Sequence, residues 1–253
     1  MRIVSILLLL LVLPVGANAL SPQYQNMVND IIGVFATGQK EKIADLFVYP
    51  IPMQYPNPDI LTEEELIRRF DEVFDDKLLN DISASDASDD KVWSAVGWRG
   101  IMFYGGDVWI NYEGKIIKVN YVTTTQQEKV AQLISLQKET LHVDLKSFLR
   151  PIFEDDIGQY HIRIDLMEGH SYRYASWSKG KRISQKPDII VMNGTITYEG
   201  TGGDLYYKFL NGSYEYRFSV FYVGTEDTPP GRLVVLKNGN LILSNDWSGK
   251  NNR

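Results

Sequence analysis

The chain of 253 residues has no cysteine. Disulfides, thiolate nucleophiles and cysteine-ligated zinc are therefore excluded, and stability must come from an ordinary apolar core. Histidine is nearly as scarce. The three present, His142, His161 and His170, show no paired helical spacing and no evident carboxylate companion, so they suggest no metal site. None lies in the first half, which leaves that half without a histidine general base. Asp86, Asp89 and Asp90 lack the regular spacing of a calcium loop, and Gly200-Thr201-Gly202-Gly203 lacks the lysine of a phosphate loop. Positive charge is short as well. Net charge is −6, and residues 20–141 carry 11 basic against 19 acidic side chains while residues 142–253 carry 14 against 13. Such a surface repels phosphate backbones, so nucleic acid is not an expected partner.

Long apolar runs are also missing once the first residues are passed. At the start, Arg2 precedes an apolar stretch from Ile3 to Leu13 broken only by Ser5. Pro14 and Gly16 end it before Ala17-Asn18-Ala19, where small residues occupy both outer positions of the triplet. This pattern predicts a signal peptide over residues 1–19, cleaved to leave Leu20 at the mature start. The stretch is shorter than the roughly 20 residues of a membrane span. The expectation is thus a periplasmic or secreted protein with no membrane anchor after cleavage, large enough for two domains.

In the first half, Met27, Val28, Ile31, Ile32, Val34 and Phe35 repeat at helical spacing, with Gly38 as a stop. A short helix fits 40–48, and Pro50 and Pro52 force an extended edge segment from Tyr49 to Tyr55. Thr62 and Glu65 form a capping box for a third helix with the stripe Leu66, Ile67, Phe70, Val73, Phe74 and Leu78. From Trp98 the period changes to two, with strands over 98–104, 107–112 and 115–122 around turns at Gly105-Gly106 and Glu113-Gly114.

The segments Gly38 to Pro52, Val96-Gly97-Trp98-Arg99-Gly100-Ile101-Met102, Val108-Trp109 and Gly114-Lys115-Ile116 resemble the nuclear transport factor 2-like superfamily, the cystatin-like cone. The likeness covers about residues 22–124, and its motifs are structural. It implies a curved sheet wrapped on helices with a cup at the wide end. Members include ketosteroid isomerases, polyketide cyclases, dehydratases and domains without known activity, so fold does not decide function. The resemblance makes Tyr49, Tyr55, Trp98, Arg99, Met102 and Trp109 the expected lining of the cup, unless these side chains simply fill it. An isomerase-like mechanism needs a desolvated carboxylate there, and Asp45 and Asp107 are the nearest candidates.

The second half opens with a connecting helix over 126–140. The remainder, 141–253, alternates at a period of two in many short segments, clearest in Tyr214, Tyr216, Phe218, Val220 and Tyr222. Asn193-Gly194 and Asn211-Gly212 fit hairpin turns better than glycosylation sites. The fold class expected is therefore α+β: an N-terminal α+β cone over 20–125 with helices against a curved antiparallel sheet, then an all-β sandwich or small barrel.

Tyrosine and tryptophan are dense in this second half, and Arg173 lies beside Trp177 together with Lys179, Lys181 and Arg182. Arg173 and Trp177 are accordingly candidates for a contact surface that accepts an anion or a sugar. No catalytic constellation and no cofactor motif emerges. The favoured expectation is a noncatalytic binding protein for a small molecule, a glycan or an envelope protein. Two alternatives stay open: a small-molecule enzyme using the cup, and an inhibitor or immunity factor against a cell-wall hydrolase. Self-association into a homodimer is left open as well.

Overall fold

A computed structural model gives the structure of residues 18–200, 203–222, 224–225 and 227–249. The leader expected over residues 1–19 therefore falls, up to residue 17, outside the described residues, as do Thr201 and Gly202 of the Gly-rich turn. The chain divides into two compact units. One holds the chain up to Ile51 together with Leu61–Thr124, and the other holds Pro52–Ile60 together with the chain from Thr125.

The first unit begins with α1 (Pro22–Ala36), whose proline at the first turn is preset for helix and needs no N–H partner. The helix buries Val28, Ile31 and Phe35. It closes at Gly38, which adopts φ +65° and donates its N–H to the Phe35 carbonyl at 3.0 Å. The short α2 (Lys40–Ala44) buries Ile43 and Ala44.

The single helix expected from Thr62 is in fact three: α3 (Glu63–Arg68), α4 (Phe70–Val73) and α5 (Asp76–Ser83). Thr62 does cap α3, accepting from the Glu65 N–H at 3.3 Å, but the Glu65 carboxylate reaches back to Leu61 N–H at 2.9 Å. The break before α5 belongs to Asp75. Its carboxylate accepts from Leu78 N–H at 2.8 Å and from the Tyr121 hydroxyl at 2.7 Å. A side chain that offers the backbone a cap ends one helix and starts the next. The edge strand expected over 49–55 does not form, because the prolines remove ladder donors.

Four strands complete this unit: β1 (Trp93–Ala95), β2 (Ile101–Phe103), β3 (Val108–Ile110) and β4 (Ile116–Val119), paired in sequence order as an antiparallel meander. β2 starts three residues later than expected because Gly97–Arg99 forms a 3-10 turn. Gly100 sits at φ +102°, where a Cβ would overlap the Ile110 carbonyl, so only glycine fits. The interior is aromatic. Phe74 packs edge-on to both Phe35 and Phe47, and Trp93 lies 4.7 Å from Phe103. Asn18 forms an isolated bridge with Ala95, and Leu20 is buried.

The second unit contains α6 (Thr124–Thr140) and an eight-stranded antiparallel sheet. Its strands are β5 (Arg150–Ile157), β6 (Tyr160–Leu166), β7 (Tyr172–Ser178), β8 (Ile189–Glu199), β9 (Asp204–Asn211), β10 (Tyr214–Val220), β11 (Gly231–Lys237) and β12 (Asn240–Trp247). Each pairs with the next, and the sheet curls into a half-barrel. The edge strands β5 and β12 meet through side chains, with the Trp247 indole N–H donating to Asp155 at 2.7 Å and its ring packing edge-on to Phe153. The chain is thus α+β with a curved sheet and a β domain. No helix among the described residues is long and apolar enough to cross a membrane.

Two details depart from the sequence expectation. β5 was not anticipated. Asn193-Gly194 is no hairpin turn either, since β8 runs straight through it, with Asn193 at φ +62°. The pair marks a bulge where β8 passes from pairing with β7 to pairing with β9. Asn211-Gly212, by contrast, is a hairpin turn, joining β9 to β10 with Gly212 at φ +59°.

The concave face of the half-barrel carries the larger core, including Phe153, Ile162, Ile164, Tyr174, Phe209, Phe218 and Leu233. On the convex face of β7, Ala175 and Trp177 join Leu141, Leu145 and Phe148, with Ile134 of α6 packed against them.

Candidate functional site

The residues expected to line a cup fall in both units. Tyr55 belongs to the second unit and the others to the first. Trp98 is 70% exposed on its 3-10 turn, beside Arg99 at 5.7 Å. Met102 and Trp109 oppose each other across β2 and β3 but lie on the half-exposed face, while their neighbours Ile101, Phe103, Val108 and Ile110 face the buried side. Strand alternation thus turns them away from the interior. Tyr49 is half-buried, its hydroxyl donating to the Ala44 carbonyl at 3.0 Å. Burial first, then the nearby carboxylates of Glu63, Glu64 and Asp45, push its phenol up to about 12. Asp45 faces solvent, and Asp107 is half-buried in the turn after Gly106, bonded through its backbone to Phe103 and Asn120.

Arg173 and Trp177 are corrected as well. Both are inside, at 2% and 0% exposure, so neither forms a contact surface. The Trp177 N–H donates to the Gln185 carbonyl at 2.9 Å. Arg173 belongs to a buried ionic cluster on the convex side of the sheet. Its guanidinium donates to Asp165 at 2.6 Å and to the Leu145 and Ser147 carbonyls at 2.7 and 3.1 Å. Arg163, with no exposed surface, donates to Asp165 at 2.8 Å, to Glu154, and to Gln137 at 3.1 Å. Gln137 in turn donates to the Tyr55 hydroxyl at 3.1 Å.

His161 completes the cluster, with Asp156 at 2.7 Å and Glu154 at 3.4 Å. Burial opposes charge on both His161 and Glu154, yet their mutual bond and the Arg163 and Asp156 charges outweigh it. The Glu154 pKa falls below its ordinary value and that of His161 rises above it. Two arginines face two buried carboxylates, and the donors end on α6, on Tyr55 and on the carbonyls of 144–147. The arrangement fastens these segments to the sheet.

The open feature of the second unit is one mouth of the half-barrel. In an up-and-down meander the connections 158–159, 179–188, 212–213 and 238–239 gather at one end. There a cavity of about 220 Å³ opens between Tyr160, Tyr174, Ser176, Ile189, Tyr214, Tyr216, Leu233, Val235, Ile242 and Leu243. It exists because Ser176 occupies an inward position in a row of large side chains. Ser176 pairs across the sheet with Ile162 on one side and Ile189 on the other, and a hydroxymethyl group cannot fill the space that the Tyr174 ring fills one step deeper. Tyr174 and Tyr216 stack at 5.2 Å along one wall.

Burial raises the phenol pKa of both stacked tyrosines, so they remain protonated hydrogen-bonding groups at neutral pH. The lining has no carboxylate, histidine, lysine or arginine. Chemically it can hold an apolar body and bond to it through phenols. Among the described residues, no group of three histidine, aspartate or glutamate side chains is arranged to hold a metal ion.

Tyr174, Tyr214 and Tyr216 of the mouth stood in the dense aromatic pattern of the second half; Tyr160, Ser176, Ile189, Leu233, Val235 and Leu243 did not stand out. The signal that exposes them is a single small residue in register with bulky inward neighbours, and it needs the strand pairing to be read. No family model, no curated protein and no solved structure matches the chain.

Proposed function

We propose that this chain is a noncatalytic binding protein that takes a small, largely apolar molecule into the tyrosine-lined mouth of its half-barrel. Apolar walls tipped with a few hydrogen-bonding groups are the usual make-up of a small-molecule site. The volume, about 220 Å³, is below the roughly 300–1,000 Å³ of most such sites, which favours a single ring or a short chain over a polycyclic ligand. The observation that carries this choice is the lining itself, rich in recognition groups and without a carboxylate, histidine, lysine or arginine. The first unit, with its helices and curved meander, is proposed as a nuclear transport factor 2-like module with a supporting role. Export to the periplasm or medium, supported by the leader pattern over residues 1–19, is part of the same proposal.

Calorimetric titration with toluene, p-cresol and 1-octanol tests the binding function. At least one should bind saturably at one site per chain, and Ser176→Leu, which fills the cavity, should abolish that binding while leaving the circular dichroism spectrum unchanged. Absence of saturable heat from all three probes, or undiminished binding by Ser176→Leu, contradicts the proposal.

A further inference from the structure

Beside the apolar mouth lies a second cleft of different chemistry, and Tyr160 lines both. Its cavity, about 480 Å³, is bordered by Lys179, Lys181 and Arg182 on the β7–β8 connection and by Asp156, Gly158 and His161 on the β5–β6 hairpin. The two sides are tied together by backbone, since Lys179 N–H donates to the Gln159 carbonyl at 2.9 Å. The connection is further held by Arg182 N–H on the Gln185 side chain at 2.9 Å and by Asp188, which accepts from Ser178 N–H at 2.7 Å.

The charges here do not cancel. Asp156 is engaged by His161, and Asp188 by Lys181. Lys179 and Arg182 are exposed and have no carboxylate partner among the described residues. An apolar cavity therefore adjoins a cleft that keeps two unneutralised cations. In a chain whose net charge is −6, a local positive cleft is the more selective for an anion.

We infer that the ligand of this mouth is a small anionic amphiphile, a single short chain or ring carrying a carboxylate, with its apolar part along the wall of Tyr174 and Tyr216 and its head against Lys179 and Arg182. This inference rests on the binding function proposed above and adds the charge of the ligand to it. A planar carboxylate suits the guanidinium fork of Arg182, and the ammonium of Lys179 supplies a second charge that needs no fixed geometry. The tail has an apolar wall and the head a solvated one, so neither end needs to be buried without partners. At about 30 Å³ for each water-sized volume, the apolar cavity of about 220 Å³ has room for a chain of roughly seven heavy atoms.

The test compares three probes of one tail length, sodium octanoate, 1-octanol and octylammonium chloride, by calorimetry on the full chain at low salt. Octanoate should bind at least tenfold tighter than octanol, and octylammonium weakest of the three. In the double variant Lys179→Gln/Arg182→Gln the advantage of octanoate over octanol should fall to within about twofold, with octanol affinity unchanged. Added sodium chloride should erode the octanoate advantage in the same way. If octanoate and octanol bind equally, or octylammonium binds best, the anionic head is wrong while the binding function stands. If none of the three binds, both fail together.

Discussion

Arg163 has no exposed surface and serves Asp165, Glu154 and Gln137 at once. Substituting it with methionine leaves Asp165 with Arg173 as its only cationic partner among the described residues, and Glu154 with His161 alone. Loss of one member of a buried ionic pair costs about 3–5 kcal/mol, so Arg163→Met should lower the unfolding free energy of the second unit by up to that amount, read as a lower urea midpoint. Arg163→Lys should recover part of it, because the charge returns without the fork.

His161 adds a pH dependence whose sign follows from the two shifts. The histidine pKa is raised above 6.5, so its contribution is complete below that value and is lost as pH rises through the higher folded pKa. The Glu154 pKa is lowered below 4.5, so its contribution is complete above that value and is lost as pH falls through the lower folded pKa. Stability of this unit should therefore be greatest between 4.5 and 6.5 and decline on both sides. Melting curves on both sides of this range check it, and His161→Gln should flatten the alkaline limb and also weaken the acid limb, because the bond to His161 helps to lower the Glu154 pKa. None of this cluster was legible residue by residue. His161 seemed to lack a carboxylate because Glu154 and Asp156 reach it only through the hairpin at Gly158, which sets Asp156 opposite His161.

At the scale of elements, the bulge in β8 is the tightest joint in the half-barrel. Gly194 lies against Phe209, and a Cβ there would overlap the ring. Overpacking of this kind costs about 1–3 kcal/mol. Gly194→Ala should show that loss in chemical denaturation, and Phe209→Leu in the same chain should relieve part of it, a coupling that two independent sites would not show. The local signals read from sequence here were sound where the pairing partner was near. The Asn211-Gly212 hairpin and the period-two run of β10 follow from neighbouring residues alone. Asn193-Gly194 has the same local chemistry, but its outcome depends on β7 and β9 together, which no short window contains. The break of the third helix has the same origin. Leu66, Phe70, Val73 and Phe74 keep helical spacing, yet Asp75 finds a second partner in Tyr121, 46 positions away, and caps a new helix.

For the whole molecule, composition and periodicity were enough for the order of helices, small sheet and β domain, because those follow from which faces must be buried. They were not enough for the site. The expected cup drew on aromatic residues of the first half, whereas alternation puts Met102 and Trp109 on the half-exposed face and leaves Trp98 on a turn. The cavity instead opens in the β domain, where one small inward side chain, Ser176, interrupts a packed row. The chain's beginning has a consequence at this scale too. Cleavage after Ala19 would remove the Asn18 bridge, with its 3.0 and 2.9 Å bonds to Ala95, but would keep the buried Leu20. A chain beginning at Leu20 should then have an unfolding free energy within about 1–3 kcal/mol of one that begins at Asn18, measured by chemical denaturation, at roughly 0.5–1.5 kcal/mol for each hydrogen bond lost.

The claim on which the rest depends is that ligand enters the half-barrel mouth. A chemical-shift map of the isotopically labelled protein, recorded during titration with octanoate, tests it most directly. The account predicts saturable shifts at Ser176, Ile189, Leu233, Val235 and Leu243, with the amides of the first unit unmoved. Shifts centred instead on Trp98, Met102 and Trp109, or no saturable shift at the mouth, would contradict it.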